Sequence, residues 1–246
     1  MFWILFLLLA WAGVLTSAAR LLRAATEAAD PAPRPASARR PGALNLYEAA
    51  YLAGGPERVA VLTLLSMERR QRLLLARTGW ATVLDPVARD AHERAVLAAF
   101  GPDGQCPVPA LREAAAAHPA VRALADRLDE AGLAVPRGVR DAVADGVRSV
   151  RWAAVLVAAM AGAALAVPAD GADVSKVLYW FALPMLLAVC CLAIARPGGP
   201  WASPAGQRLL AALDHDRTPG DPLAAVAVRG LSALPDPDLR AALGRS

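Results

Sequence analysis

The stretch LNLYEAAYLAGGPERVAVLTLLSMERR, residues 44–70, decides how the middle of this chain folds. It reads as two helices divided by a Gly54-Gly55-Pro56 stop and start. Asn45 is placed to cap a short helix ending near Ala53, by accepting from the first free backbone N–H groups. Gly54 and Gly55 offer positive φ at that helix's end. Pro56 suits the first turn of the next helix, where its missing N–H would find no helical partner anyway. The second helix, to about Gln71, carries Val59, Val61, Leu62, Leu64, Leu65 and Met67 around much of its circumference. An apolar stripe that wide predicts a core helix. A phosphate-binding loop would need a strand before the glycines and a Lys-Ser or Lys-Thr pair after them. Neither is present, so the glycines read as structural punctuation.

Downstream, residues 73–76 and 80–84 are short β-prone segments flanking a Thr78-Gly79 turn. Helix, helix and hairpin in this order suggest a winged-helix unit. A second unit is expected to follow: a helix starting at Asp85-Pro86 and running to Phe100, with Val87, Ala91, Val96 and Phe100 inward. A break then spans 101–107, helices cover 109–117 and 119–131, and the LAVP segment at 133–136 reads as a short strand. Residues 44–135 are thus expected to form a winged-helix-like module, in tandem if both units fold alike. A module of about ninety residues is large enough for its own core.

Outside this module the chain is oily. Its apolar share is 57% and its mean hydropathy +0.38, against roughly 45–50% apolar in ordinary soluble domains. The excess sits in three runs free of charged side chains, close to the roughly 17–25 residues a helix needs to cross a bilayer. They predict transmembrane helices over 2–19, 152–168 and 177–195. The other segments are a Pro/Ala/Arg linker at 20–43, a juxtamembrane segment at 136–151, an external loop at 169–176 and a tail of short helices at 196–246. The fold class expected is mainly α: three transmembrane helices plus a helical module with a short β-hairpin.

Arginine placement orients these spans. Arg20, Arg23, Arg148, Arg151 and Arg196 flank the runs on one side, and cytoplasmic loops are enriched in such residues. Asp170, Asp173 and Lys176 then face outward, and residues 20–151 and 196–246 are cytoplasmic, at the cell membrane. The competing reading makes residues 1–19 a cleaved signal peptide and exports the module. Against it, no Lys or Arg precedes the first run, and Arg137, Arg140, Arg148 and Arg151 would be left outside. The basic residues are 25 arginines and one lysine, which together with abundant alanine suggests a GC-rich genome.

Few residues suggest chemistry. His92, His118 and His215 share no metal-ligand spacing, and neighbours such as His92 and Glu93 point in different directions on a helix. Cys106 lies in a Gly/Pro-rich loop, and Cys190 and Cys191 lie in the third run, so neither a disulfide framework nor a zinc site is indicated. No nucleophile elbow or carboxylate pair is present. Catalytic, metal and cofactor residues are therefore assigned to none. A basic patch of Arg69, Arg70, Arg72 and Arg77 is a candidate contact for an anionic surface, whether lipid headgroups or nucleic-acid phosphate. Arg34, Arg39 and Arg40 in the linker are further candidates for lipid contact. DNA base readout would need polar side chains over the first turns of a recognition helix, which the apolar run 59–65 does not provide. Within the second run, Ala154, Ala158, Gly162 and Ala166 recur every four residues, a small-residue stripe suited to packing against the third run. Trp201 is a candidate for the membrane interface, and the helices after it for docking on the module.

At NLYEAAYLAGGPERVAVLTLLSMERR, and again at DPLAAVAVRGLSALPDPDLRAAL in the tail, the chain resembles an uncharacterised family of actinobacterial membrane proteins. The resemblance implies a membrane location and no particular activity. Gln71 stands where that family usually has glycine, before the hairpin. The partners expected are the lipid bilayer and an unidentified protein. The function expected is presentation of a cytoplasmic protein-interaction module. A membrane-tethered winged-helix DNA-binding regulator and an enzyme acting on a membrane-associated substrate are the alternatives.

Overall fold

The computed structural model describes residues 2–29, 44–166, 174–194, 201–215 and 221–244. The chain divides into two compact units, Met1–Ala32 with Pro136–Gly199, and Pro33–Val135 with Pro200–Ser246. Each unit is therefore assembled from two separate stretches of chain.

The first unit contains α1 (Phe2–Ala29), α6 (Arg137–Ala166) and α7 (Val174–Ile194). Val14, Val147, Val150, Ala153, Val157, Phe181 and Ala188 form its core. Ser17 and Ser149 share a hydrogen bond of 3.0 Å between α1 and α6. The helices outrun the apolar runs that predict them. Residues 20–29, expected in the linker, continue α1, and the juxtamembrane residues from Arg137 onward are the first turns of α6. The rest of the linker, with Arg34, Arg39 and Arg40, and residues 169–173 of the expected loop lie outside the described residues. Among the described residues one helix, over Arg137–Ala163, is long and apolar enough to cross a membrane, while Leu7–Arg20 and Tyr179–Ala193 are apolar but shorter.

Ala158 and Gly162 are exposed, and a Cβ added at Gly162 would meet nothing. Ala154 is half-buried beside the core, and the side chain of Ala166 lies outside the described residues. The buried seam of α6 runs instead through Val147, Val150, Ala153 and Val157. Four-residue recurrence drifts around a 3.6-residue helix, whereas these β-branched and small residues track one face against α1. Its main neighbour is α1 as well as the expected α7.

The second unit is organised around α2 (Leu46–Arg69). Asn45 and Glu48 form a reciprocal capping box at its start. Gly55, at φ 73° and ψ −163°, is non-helical ahead of Pro56, so α2 consists of the two expected helices meeting at a kink. Residues 59–67 are buried on every side. One side of α2 packs on β1 (Leu73–Leu75), β2 (Trp80–Val83), α3 (Ala91–Ala98) and α4 (Val108–Ala117). Another side packs on α5 (Pro119–Glu130) through Val121, Leu124 and Leu128.

Two expectations for this region are corrected. The helix expected from residue 85 begins at Ala91, because the Asp85 carboxylate is held elsewhere and Asp90 caps the helix through the backbone N–H of Glu93. The expected tandem units also share one sheet. β3 (Gln105–Pro107), lying in the expected break, pairs antiparallel with β2 in the order β1-β2-β3.

The tail belongs to the same unit. After Trp201 come α8 (Pro204–His215), α9 (Pro222–Arg229), a 3-10 turn (Leu231–Ala233) and α10 (Pro237–Gly244). Val226, Leu234, Ala242 and Leu243 enter the core around α2. The LAVP segment forms an antiparallel bridge between Ala134 and Ala202. The Val135 N–H donates to the Trp201 carbonyl at 2.9 Å, and the Ser203 N–H donates to the Leu133 carbonyl at 2.8 Å.

At the end of α2, Gln71 adopts φ 55°. Its N–H donates to the Glu68 carbonyl at 2.7 Å and that of Arg72 to the Met67 carbonyl at 2.9 Å. This is a Schellman turn carrying glutamine at its left-handed position. A Cβ there is strained, by about 1 kcal/mol relative to glycine. Gln71→Gly is therefore expected to raise stability by roughly 0.5–1 kcal/mol, and the β-branched Gln71→Val to lower it. Unfolding midpoints of the three full-length chains in one solubilising medium check the order.

Candidate functional site

The Schellman turn aims Arg72 inward, where it meets Glu93 on the first turn of α3. Glu93 is fully buried and Arg72 nearly so, at 0% and 3% side-chain exposure. One Glu93 oxygen accepts from Arg72 Nη1 at 2.5 Å and from the Arg89 backbone N–H at 2.7 Å. The other accepts from Arg70 Nη1 at 3.4 Å. Arg72 Nε also donates to Asp85 at 3.1 Å, while Asp85 accepts from the Val87 N–H. The Val87 N–H and then the Arg72 guanidinium hold the Asp85 carboxyl below the usual carboxylate range. The group joins the end of α2, the hairpin, the loop after it and α3. Its carboxylates face cations and backbone donors, an arrangement that fixes geometry.

The expected basic patch is thereby divided. Arg72 is a buried structural cation and is withdrawn from the surface set. Arg69, Arg70 and Arg77 are exposed, with Arg70 reaching Glu93 and Arg77 pairing with Asp238 at 3.2 Å. Nothing in the order of residues 69–77 distinguishes Arg72 from its neighbours. The Arg72 partners lie 13 and 21 residues on and are recognisable only once the chain has folded back.

Beside this network Tyr47 donates to Asp90 at 3.1 Å and its ring lies 4.4 Å from that of His92, centroid to centroid. Burial and then the Asp90 charge push the Tyr47 hydroxyl up. Burial pushes the His92 imidazole down, Arg127 and His118 acting in the same direction and Asp90 against it. His92 Nδ1 is buried and has no hydrogen-bond partner among the described residues. The two rings meet at a tilt of 40°, and among the described residues no His, Cys, Asp and Glu come together as a metal site.

The Gly-Gly-Pro break has a packing role as well as a turn role. A Cβ on Gly55 would lie 2.3 Å from the Trp201 ring, so glycine is needed both for the positive φ and for this approach. Trp201, expected at a membrane interface, instead packs on Gly55 and edge-on to Tyr51 at 5.5 Å. Sequence reading missed two further residues, Arg58 and Arg112. Arg58 donates to the Val228 carbonyl at 2.8 Å, and burial pushes its guanidinium down. Arg112 donates to the Leu243 carbonyl at 3.0 Å and to Glu57 at 2.8 Å. They line an open cleft of about 290 Å³ with Val61, Val226 and Leu231. Both arginines fasten the tail, so the cleft lies along a seam of the fold. Partners 131 and 170 residues away leave no local signal.

No protein-family model matches the chain, and neither a curated protein nor a solved structure matches it.

Two stability measurements follow from this geometry. Removing one member of the buried pair leaves the other charge uncompensated, so Glu93→Leu and Arg72→Met should each cost roughly 3 kcal/mol. The double variant should cost much less than their sum. Denaturant midpoints of the single and double variants measure that coupling. For His92, the unfolded chain binds more protons than the folded one, because the folded pKa is depressed. Its contribution is complete above about pH 6.5 and is lost as pH falls below that. Between about pH 7.5 and pH 5.5 the stability of His92→Phe should therefore decline less than that of the parent chain.

Proposed function

We propose that this chain is a multi-pass integral membrane protein in which α1, α6 and α7 all cross the bilayer and the second unit is a non-catalytic protein-interaction module on the cytoplasmic side. The observation that carries this reading is where the exposed apolar side chains lie. Leu8, Leu9, Leu15 and Leu22 on α1, Trp152, Val155 and Leu156 on α6, and Tyr179, Trp180, Leu183, Leu186 and Val189 on α7 are all at least 42% exposed. An apolar surface of that extent around a three-helix unit is costly in water and suited to hydrocarbon.

Chain connectivity supports the same reading. The second unit releases the chain at Val135 and takes it back at Trp201, with the two ends hydrogen-bonded to each other. The segment between them must leave and return on one side, which two crossings satisfy and one does not. Arg137, Arg140, Arg148 and Arg151 on the early turns of α6 favour the cytoplasm as that side. The kinship with the membrane proteins resembled at the Gly-Gly-Pro segment belongs to this same proposal. Interaction is preferred to catalysis because the buried polar side chains serve the architecture, as Arg72, Glu93, Arg58 and Arg112 do.

Single-cysteine accessibility tests the topology. With Cys106, Cys190 and Cys191 replaced, cysteines at Ser37, Ala172 and Ser232 are challenged with a membrane-impermeant thiol reagent in intact cells. Labelling of Ala172→Cys alone is expected. Labelling at position 37 would export the module and overturn the orientation.

A further inference from the structure

We propose that the outer face of the three-stranded sheet docks on an acidic bilayer surface. The proposal rests on the membrane reading above and deepens it.

The sheet buries one face and leaves the other open. In β1, Leu73 and Leu75 point into the core while Leu74 is 57% exposed. In β2, Ala81 is buried and Trp80 is 48% exposed. The register pairs Leu74 with Thr82 and Trp80 with Pro107, and directly opposed residues share a face. Leu84, two residues beyond Thr82, extends the outer face, and the following loop adds Val87, at 57% and 64% exposure. Among the described residues these four are the large exposed apolar side chains of this unit, and they are confined to one hairpin and its exit. Scattered surface apolar residues need no explanation, but a group of this size on one face does.

The surrounding charge identifies the occupant. Arg69 at the end of α2, Arg77 at the hairpin turn and Arg89 beyond Val87 are all exposed. Of the nearby acids, Asp85 faces Arg72, Glu68 interacts with Arg69 and lies near Asp236, and Asp238 pairs with Arg77 in an exposed contact of the weak kind. A second copy docking on this face would set like-charged rims together. Duplex nucleic acid would match the arginines but offers no apolar layer to take Leu74, Leu84 and Val87. A bilayer with acidic headgroups offers both, and an indole at the boundary of apolar and polar layers is the placement that tryptophan favours.

The test uses the full chain, with the three native cysteines replaced by alanine, in phospholipid nanodiscs. One sample carries an environment-sensitive fluorophore at Leu84→Cys, and another carries it at Leu186→Cys on α7. In phosphatidylcholine discs containing phosphatidylglycerol, the residue-84 probe is expected to shift to the blue and to be quenched by lipid-borne nitroxide. In pure phosphatidylcholine discs, the docked fraction should fall. Arg69→Gln and Arg77→Gln should each weaken docking roughly fivefold. A residue-84 probe that stays in water beside a residue-186 probe in lipid overturns docking and leaves the membrane reading standing. Both probes in water overturn both. Protection of residue 84 regardless of lipid charge, with energy transfer between labelled copies, would put a second copy on this face instead.

Discussion

Two backbone hydrogen bonds, Val135 N–H to Trp201 and Ser203 N–H to Leu133, hold together the ends of the long excursion that separates the two halves of the second unit. Ser203 Oγ adds a third, to the Gly132 carbonyl at 2.7 Å. Gly206 lies so close to the Leu133 carbonyl that a Cβ would stand 2.3 Å from it. Much depends on this clasp. It starts α8 in place, sets Trp201 over Gly55, and returns the chain so that α9 and α10 can bury Val226, Ala242 and Leu243 against α2.

The polar interior follows a consistent logic. A charge removed from water must meet an opposite charge or several dipoles. Glu93 meets two guanidinium groups and a backbone N–H, and Arg72 meets two carboxylates. Arg58 and Arg112 use carbonyl oxygens from the tail, and Arg112 also meets the Glu57 carboxylate. Apart from the Arg89 N–H to Glu93, each contact joins elements distant in sequence. Such groups specify one arrangement of the helices, and they leave the functional surface to side chains that remain exposed.

Local features of this structure could be read from sequence because their causes are local. Asn45 caps α2, Gly55 takes positive φ before Pro56, Thr78-Gly79 turns the hairpin, and 59–67 form a core helix, each from residues within a few positions of one another. Gln71, set against glycine only by the family resemblance, takes the left-handed position of the turn. The failures were non-local. Arg72 looks like any surface arginine until Glu93 arrives, and Asp85-Pro86 reads as a helix start until the Asp85 carboxylate is held by Arg72. In the stripe, Ala154 packs beside the core while Ala158 and Gly162 are exposed.

The central claim is that the second unit is discontinuous and needs its tail to complete the core around α2. Amide hydrogen exchange over residues 59–67, in the full chain and in a chain ending at Ile194, tests this most directly. Loss of strong protection on truncation is expected, because Val226, Ala227, Leu234 and Leu243 no longer cover the helix. Equal protection in the two chains would contradict the claim and make residues 44–135 a self-sufficient domain.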